Sequence, residues 1–230
     1  MKARMDDGTS QYYFTASMDS GKTLCSLLKA IQFQESAVFC AMQEGLKLTV
    51  EEGKCVQASA YVPSDNFTEY HVRDDVDVIF KISLAVLTEC LNIFGSAEES
   101  SLKMYYRCEG SPLLLVLQPQ SFSNVMTDCE IATQTADSLL ELRDEDTSEV
   151  AKLVLKAPAF LGLLADLEKS CDVMEMHLSP EHPNVSIVTY GMQVVLRCSS
   201  NGLLLLQLKL EKEDQRQMFS EFYIVPLLDD

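Results

Sequence analysis

Two stretches of this chain, MYYRCEGSPLLLVLQ (104–118) and VVLRCSSNGLLLLQL (194–208), follow the same plan. Each predicts a strand, an Arg-Cys pair, a polar turn and a leucine-rich strand, so that Arg107-Cys108 matches Arg197-Cys198. FKISLAVLTECL and LVLKAPAFLGLL form a second matched pair, each a strand running straight into an apolar helix. Self-similarity at this scale restricts a chain to stacked copies of one supersecondary unit. The expected organisation is a first lobe over 10–135, an acidic connector over 136–150 (ADSLLELRDEDTSEV) and a second lobe over 151–228.

The two copies are unequal. From Lys22, where the first helix is expected to start, to Arg107 is 85 residues, whereas from Ala157, where the third starts, to Arg197 is 40. The second lobe is therefore 45 residues shorter, and the gap falls near Tyr190-Gly191-Met192. The missing part corresponds to residues of about 54–100, two strands and a helix. The unpaired sheet edge this would leave is an aggregation liability.

Periodicity supplies the elements. Helices are expected over 22–33, where Leu24, Leu27, Leu28 and Ile31 keep helical spacing, over 83–94, closed by Gly95, and over 157–169, with Pro158 in the first turn. Strands are expected over 12–18, in SAVFCAMQ, GLKLTVEE and CVQASAYV, in VDVIFKI, and as one element in FSNVMTDCEIATQT. The fold class is α+β.

Charge and cysteine content limit the function. With 35 acidic against 18 basic residues the net charge is −17, and such a surface repels nucleic acid on average. Any DNA contact needs lysines gathered on one face. Eight cysteines show no metal-ligand spacing, and Cys25, Cys40 and Cys90 sit in apolar runs as small hydrophobes. MKARMDDGTS has no apolar run, so no signal peptide is expected, and PLLLVL is too short to cross a bilayer. The glycosylation triplets at Asn66 and Asn184 read as chance matches.

Ser20-Gly21-Lys22-Thr23 looks like half of a phosphate-binding loop. That loop needs an earlier glycine five residues before Gly21, and the residue there is Ala16, inside a strand. The motif is better read as a helix start, with Asp19 or Ser20 accepting a bond from the first turn. Asp74, Asp75 and Asp77 raise a metal-dependent nuclease, with Asp75 and Asp77 on one strand face, yet nothing is spaced to complete such a site. His71, His177 and His182 do not cluster in sequence. Lys22 and Lys29, seven apart, share one helix face; Lys156 precedes the third helix and Lys169 ends it.

The repeated strand–helix–strands plan resembles the sliding DNA clamps of the proliferating-cell-nuclear-antigen type. LLKAIQFQESAVFCAMQEGLKLTVEEGKCVQASAYV, LTECLNIFGS, LSPEHPNVSIVTYG and FSEFYIVP are similar to the "one" subunits of the heterotrimeric nine-one-one checkpoint clamp. The resemblance implies a clamp fold: two lobes of antiparallel sheets with inner helices, here with the second lobe incomplete. It implies a nuclear, non-enzymatic scaffold without cofactor or metal. Its partners would be two other clamp-like subunits, a clamp loader, repair enzymes and checkpoint adaptors, with double-stranded DNA held in the ring without sequence readout and no membrane. Lys22, Lys29, Lys156 and Lys169 would face DNA phosphates. Leu139, Leu140 and Leu142 would border a groove for partner peptides. The last strand of the first lobe, with Val125, Met126, Thr127, Cys129 and Ile131, would form a subunit interface. A metal-dependent 3′→5′ DNA exonuclease is the alternative.

Overall fold

The computed structural model describes residues 11–139 apart from 97, 122 and 123, and then 149–166, 193–199, 204–211 and 217–224. The chain divides into two units. One holds the residues up to Val50 together with Ser59–Leu139; the other holds Glu51–Ala58 and the residues from Leu140 onward. The division at Leu139 falls inside the acidic segment 136–150.

The first unit repeats a strand–helix–three-strand motif. Its first pass is β1 (Phe14–Met18), α1 (Lys22–Ala30), β2 (Ser36–Met42), β3 (Gly45–Glu52) and β4 (Val56–Pro63). A short strand β5 (Glu69–Val72) follows. The second pass is β6 (Val78–Ser83), α2 (Leu84–Leu91), β7 (Ser100–Tyr106), β8 (Leu113–Pro119) and β9 (Thr127–Ile131), with β10 (Thr133–Gln134) after it. Each pass starts in one sheet and crosses by its helix to the other. One sheet has the order β5-β1-β7-β8-β9, and β10-β6-β2-β3-β4 are neighbours in the second. Described pairings within both are antiparallel.

The sheets are joined by aromatic side chains. Alternation along β1, β7 and β8 turns Phe14, Met104, Tyr106 and Leu115 inward, as a strand with one buried face requires. Phe14 meets Phe39 edge-on at 5.6 Å, and Phe80 lies between Phe39 (4.6 Å) and Tyr106 (4.4 Å). Such ring pairs stabilise beyond the area they bury. The helices lie side by side: the Cys25 thiol donates to the Thr88 carbonyl across 3.6 Å. Leu24, Leu27 and Leu28 of α1 and Leu84, Leu87 and Leu91 of α2 are buried.

In the second unit β11 (Glu149–Lys156) runs directly into α3 (Ala157–Asp166), and β12 (Gln193–Ser199), β13 (Leu204–Glu211) and β14 (Gln217–Ile224) follow. Their order is β11-β12-β13-β14, all antiparallel. This is the pattern β1-β7-β8-β9 of the first unit. Strand β12 thus stands where β7 stands, and 26 residues (167–192) separate it from α3 where 69 (31–99) separate β7 from α1.

Five expectations need correction. The Arg-Cys match is not structural: Arg197 and Cys198 are paired residues of β12, opposite Leu205 and Leu204, whereas Arg107 and Cys108 lie beyond β7 in its turn. The hairpin repeats, but its signature pair does not. The strand expected over 122–135 is two, because the chain changes sheet at Ala132: β9 pairs β8, and β10 pairs β6. Neither Asp19 nor Ser20 caps α1. Its N-cap is Gly21, with no side-chain bond to the first turn. Finally, Asp75 and Asp77 are not on a strand, since β6 begins at Val78 and both lie in the turn before it. The first two helices also end earlier than expected, at Ala30 and Leu91, while residues 167–169, the expected end of the third, lie outside the described residues.

Candidate nucleic-acid interface and sheet edge

Helix α1 exposes one stripe, Lys22, Ser26, Lys29 and Ala30, spaced by a turn or two so that they stand in line. Lys22 and Lys29 flank a cavity of about 60 Å³ together with Ser26, Asn92 and Glu98. A cavity of two water volumes has no room for a nucleotide. The Gly21 amide donates to the Ser100 carbonyl at 2.9 Å, so it is spent on β7 and does not cradle a phosphate. A Cβ at Gly21 would only touch Cβ of Leu102, at 3.4 Å, so packing tolerates a side chain there. The two ammonium groups are left as an exposed pair on a helix surface, which suits phosphate contact without base readout.

The other helices differ. Outward positions of α2 and its C-terminal turn are Val86, Glu89 and Ile93, with Val86 and Ile93 42% and 48% exposed. Pro158, Leu161, Gly162 and Ala165 are exposed on α3, with no charge among them. Lys156 is the last residue of β11, and Lys169 lies outside the described residues. Among the described residues the basic helix face is therefore α1 alone.

Strand β9 is the last of its sheet, with β8 on one side and no described neighbour on the other. Val125 and Met126, just before it, are 44% and 66% exposed. Thr127 and Cys129 are half-buried on its inner face, and Asp128 and Glu130 are exposed on its outer face. Ile131 is buried at 3%, opposite Leu113, so its side chain belongs to the core and it can offer an interface only backbone. Cys129 lies beside Cys90 of α2; burial, and then that thiol, push Cys90 up to about 11. Both are free thiols, and Cys40 and Cys90 are half-buried rather than buried like Cys25. Leu139 is half-buried, while Leu140 and Leu142 lie outside the described residues. Two residues before Leu139, Asp137 pairs with Lys81 at 2.9 Å.

Two of the acids that suggested a nuclease, Asp74 and Asp75, are engaged by neighbours. Arg73 donates to both oxygens of Asp75, through Nε at 2.9 Å and through Nη2, and so holds that carboxyl below its ordinary value. Arg73 also lies 4.9 Å over the Tyr13 ring. Asp74 accepts from Nε2 of Gln43 at 2.8 Å. Among the described residues no three His, Cys, Asp or Glu side chains gather as a metal site. His71 is an exposed residue of β5, and Asn66 is buried at 5%. Among the described residues no helix is long and apolar enough to cross a membrane.

Comparison with known proteins adds the lineage. The family described as "Repair protein Rad1/Rec1/Rad17" matches residues 13–225. The chain is 35% identical over 185 residues to the mouse (Mus musculus) "Cell cycle checkpoint protein RAD1" and 34% identical over 192 residues to the human protein of that name, covering 79% and 82% of this chain. It spans about two thirds of their length, 65% of the mouse and 67% of the human protein. With the Drosophila melanogaster "DNA repair protein Rad1" it is 29% identical over 265 aligned residues, 94% of each chain. Since 94% of 230 residues is about 216, some 49 aligned positions have no residue here. That deficit is close to the 45 residues missing from the second repeat.

Proposed function

We infer that this chain, which belongs to the Rad1/Rec1/Rad17 family of repair proteins, serves as one subunit of a heterotrimeric DNA-damage checkpoint clamp. The observation that carries this is the family match across 13–225, which takes in both units. The geometry supports it at two places. Lys22 and Lys29 make one cationic stripe on a net-acidic chain, so DNA is tolerated at α1 and repelled elsewhere. Strand β9, which has no neighbour beyond β8 among the described residues, offers an edge for pairing with another chain.

In this reading the helices face double-stranded DNA, with Lys156 and Lys169 joining Lys22 and Lys29, and contact is made to phosphates only. Two other clamp-like subunits complete the ring, one of them against Val125, Met126, Thr127, Cys129 and Ile131. A clamp loader places the ring, and repair enzymes and checkpoint adaptors dock beside Leu139, Leu140 and Leu142. The protein acts in the nucleus as a scaffold and not as an enzyme. The exonuclease alternative has no observation in its favour, because Asp75 is neutralised by Arg73.

The test is co-expression with two clamp-like partner chains, followed by retention of the complex on circular DNA at increasing salt. Each phosphate contact contributes about 0.9 to the slope of log affinity against log salt. Lys22→Glu with Lys29→Glu lowers that slope by about 1–2 and weakens retention for every DNA sequence alike. Failure of the wild-type chain to be captured by any clamp partner refutes the reading.

A further inference from the structure

Two thiols from separate elements meet in the first unit. Cys129 of β9 sits opposite the buried Leu115 of β8, so its side chain lies on the core face of the sheet, the face to which Ile131 also belongs. Ile131 is buried on that face and Cys129 is half-buried, so the thiol stands where the core gives way to solvent. Helix α2 lies against this strand: residues of the two elements approach within 8 Å, Cα to Cα. On α2, Leu87 and Leu91 are buried, Val86 and Glu89 are exposed, and Cys90 is half-buried on the border between them. Its thiol is a hydrogen-bonding neighbour of the Cys129 thiol. Both cysteines are free. Cys25, by contrast, is buried and donates to the Thr88 carbonyl at 3.6 Å, and the exposed Cys55 donates to the Gly53 carbonyl at 3.3 Å.

We propose that Cys90 and Cys129 form a reversible dithiol site for a small two-electron oxidant of the peroxide class, closing to a disulfide that staples α2 to β9. The inference does not depend on the clamp reading. Half-burial leaves both sulphurs within reach of a molecule as small as peroxide, and a thiol already touching its partner is favoured by proximity over any thiol in solution.

Burial, and then the neighbouring thiol, keep Cys90 protonated at neutral pH. The first attack therefore belongs to Cys129, since the thiolate is the nucleophile. Its sulphur, having released its proton to water, bonds to one peroxide oxygen as the O–O bond breaks, and the departing hydroxide takes a proton from solvent. The Cys90 sulphur then attacks the sulfenic acid: the S–S bond forms, the S–O bond breaks, and water leaves with the Cys90 proton. The two sulphurs lose two electrons and the peroxide gains them, yielding two waters. A small dithiol reductant restores both thiols by exchange. Among the described residues β9 is held by the β8 ladder on one side alone, so a covalent tie to α2 makes local opening of this edge rarer.

The reduced full chain is treated with a few equivalents of hydrogen peroxide, and remaining thiols are blocked in denaturant. Cleavage after basic residues and before aspartates isolates Cys90 in 82–103 and Cys129 in 128–136. Mass spectrometry is expected to find these two peptides joined, lighter by two hydrogens than their sum, and separated again by reductant. In Cys90→Ser the reaction stops at a Cys129 sulfenic acid, trapped by dimedone; in Cys129→Ser neither the link nor a sulfenic acid at Cys90 forms. Cys108→Ser oxidises as the wild type does. In the oxidised wild type, amide exchange over Thr127–Ile131 slows about tenfold or more and Tm rises by about 5–10 °C. Both peptides remaining free thiols after peroxide, or joining other cysteines instead, overturns the proposal. A link that leaves exchange over Thr127–Ile131 unchanged overturns the staple. The mapping uses the wild-type chain, so it decides the matter even where a serine variant fails to fold.

Discussion

Gly45 shows how much a single position can carry. It opens β3 with φ +154, and a Cβ there would lie 2.4 Å from the Val62 carbonyl oxygen and 2.8 Å from Cα of Pro63. Both obstacles are backbone, so nothing flexible can yield. Gly45→Ala is expected to cost about 2–4 kcal/mol, in the range of other steric defects in packed regions, read as a lower denaturant midpoint with unchanged slope. The sequence marks Gly45 only as a turn signal; the close approach of Pro63 is a contact between strands and leaves no local trace. Gly21 differs. Ser-Gly-Lys-Thr suggests a cap supplied by Asp19 or Ser20, whereas the N-cap is the glycine itself, with no side-chain bond to the first turn. Asp75 is the converse case. Its partner Arg73 is two residues away, and so the ion pair was open to a local reading of RDD.

Among elements, helices were the more legible. The 3.6-residue spacing of leucines locates α1, α2 and α3, and the last turns of α1 and α2 fall about three residues short of the expected ends. The sequence places Ser83 inside the second helix, whereas it is the N-cap: its Oγ accepts from the Val86 amide at 3.3 Å. Ser83→Ala should therefore destabilise the unit by about 1 kcal/mol, measured by thermal or denaturant unfolding, with no change at the exposed face of α1. Strands were legible as strands but not as members of sheets. FSNVMTDCEIATQT alternates throughout, yet it serves two sheets, because Ala132 is where the β8 ladder ends and the β6 ladder begins. Alternation reports one buried face and says nothing of which neighbour covers it. The position of β9 at the edge of its sheet, with no described neighbour beyond it, is for that reason not legible in the alternation.

At the scale of the whole molecule the deficit in the second repeat dominates. A chain lengthened at 190–193 with the corresponding segment of the fly relative is expected to regain what the first unit has between α1 and β7. In complexes with two clamp-like partners, light scattering should then report a full trimer mass, and the complex should outlast the present chain on closed circular DNA. Equal lifetimes would show that the deficit does not limit ring closure. The duplication, the acidic balance, the helix positions and the size of the deficit were all determined by the sequence alone, because each is a property of order and composition along the chain. The tertiary structure decided the sheet partners of β9 and β10, the lysine pair left open on α1, the capture of Asp75 by Arg73 and the exposed acids at the edge of the first unit. Those are distances between side chains and strands, some of them far apart in sequence, and they exist only once hydrogen-bonded ladders and core packing have brought the residues together.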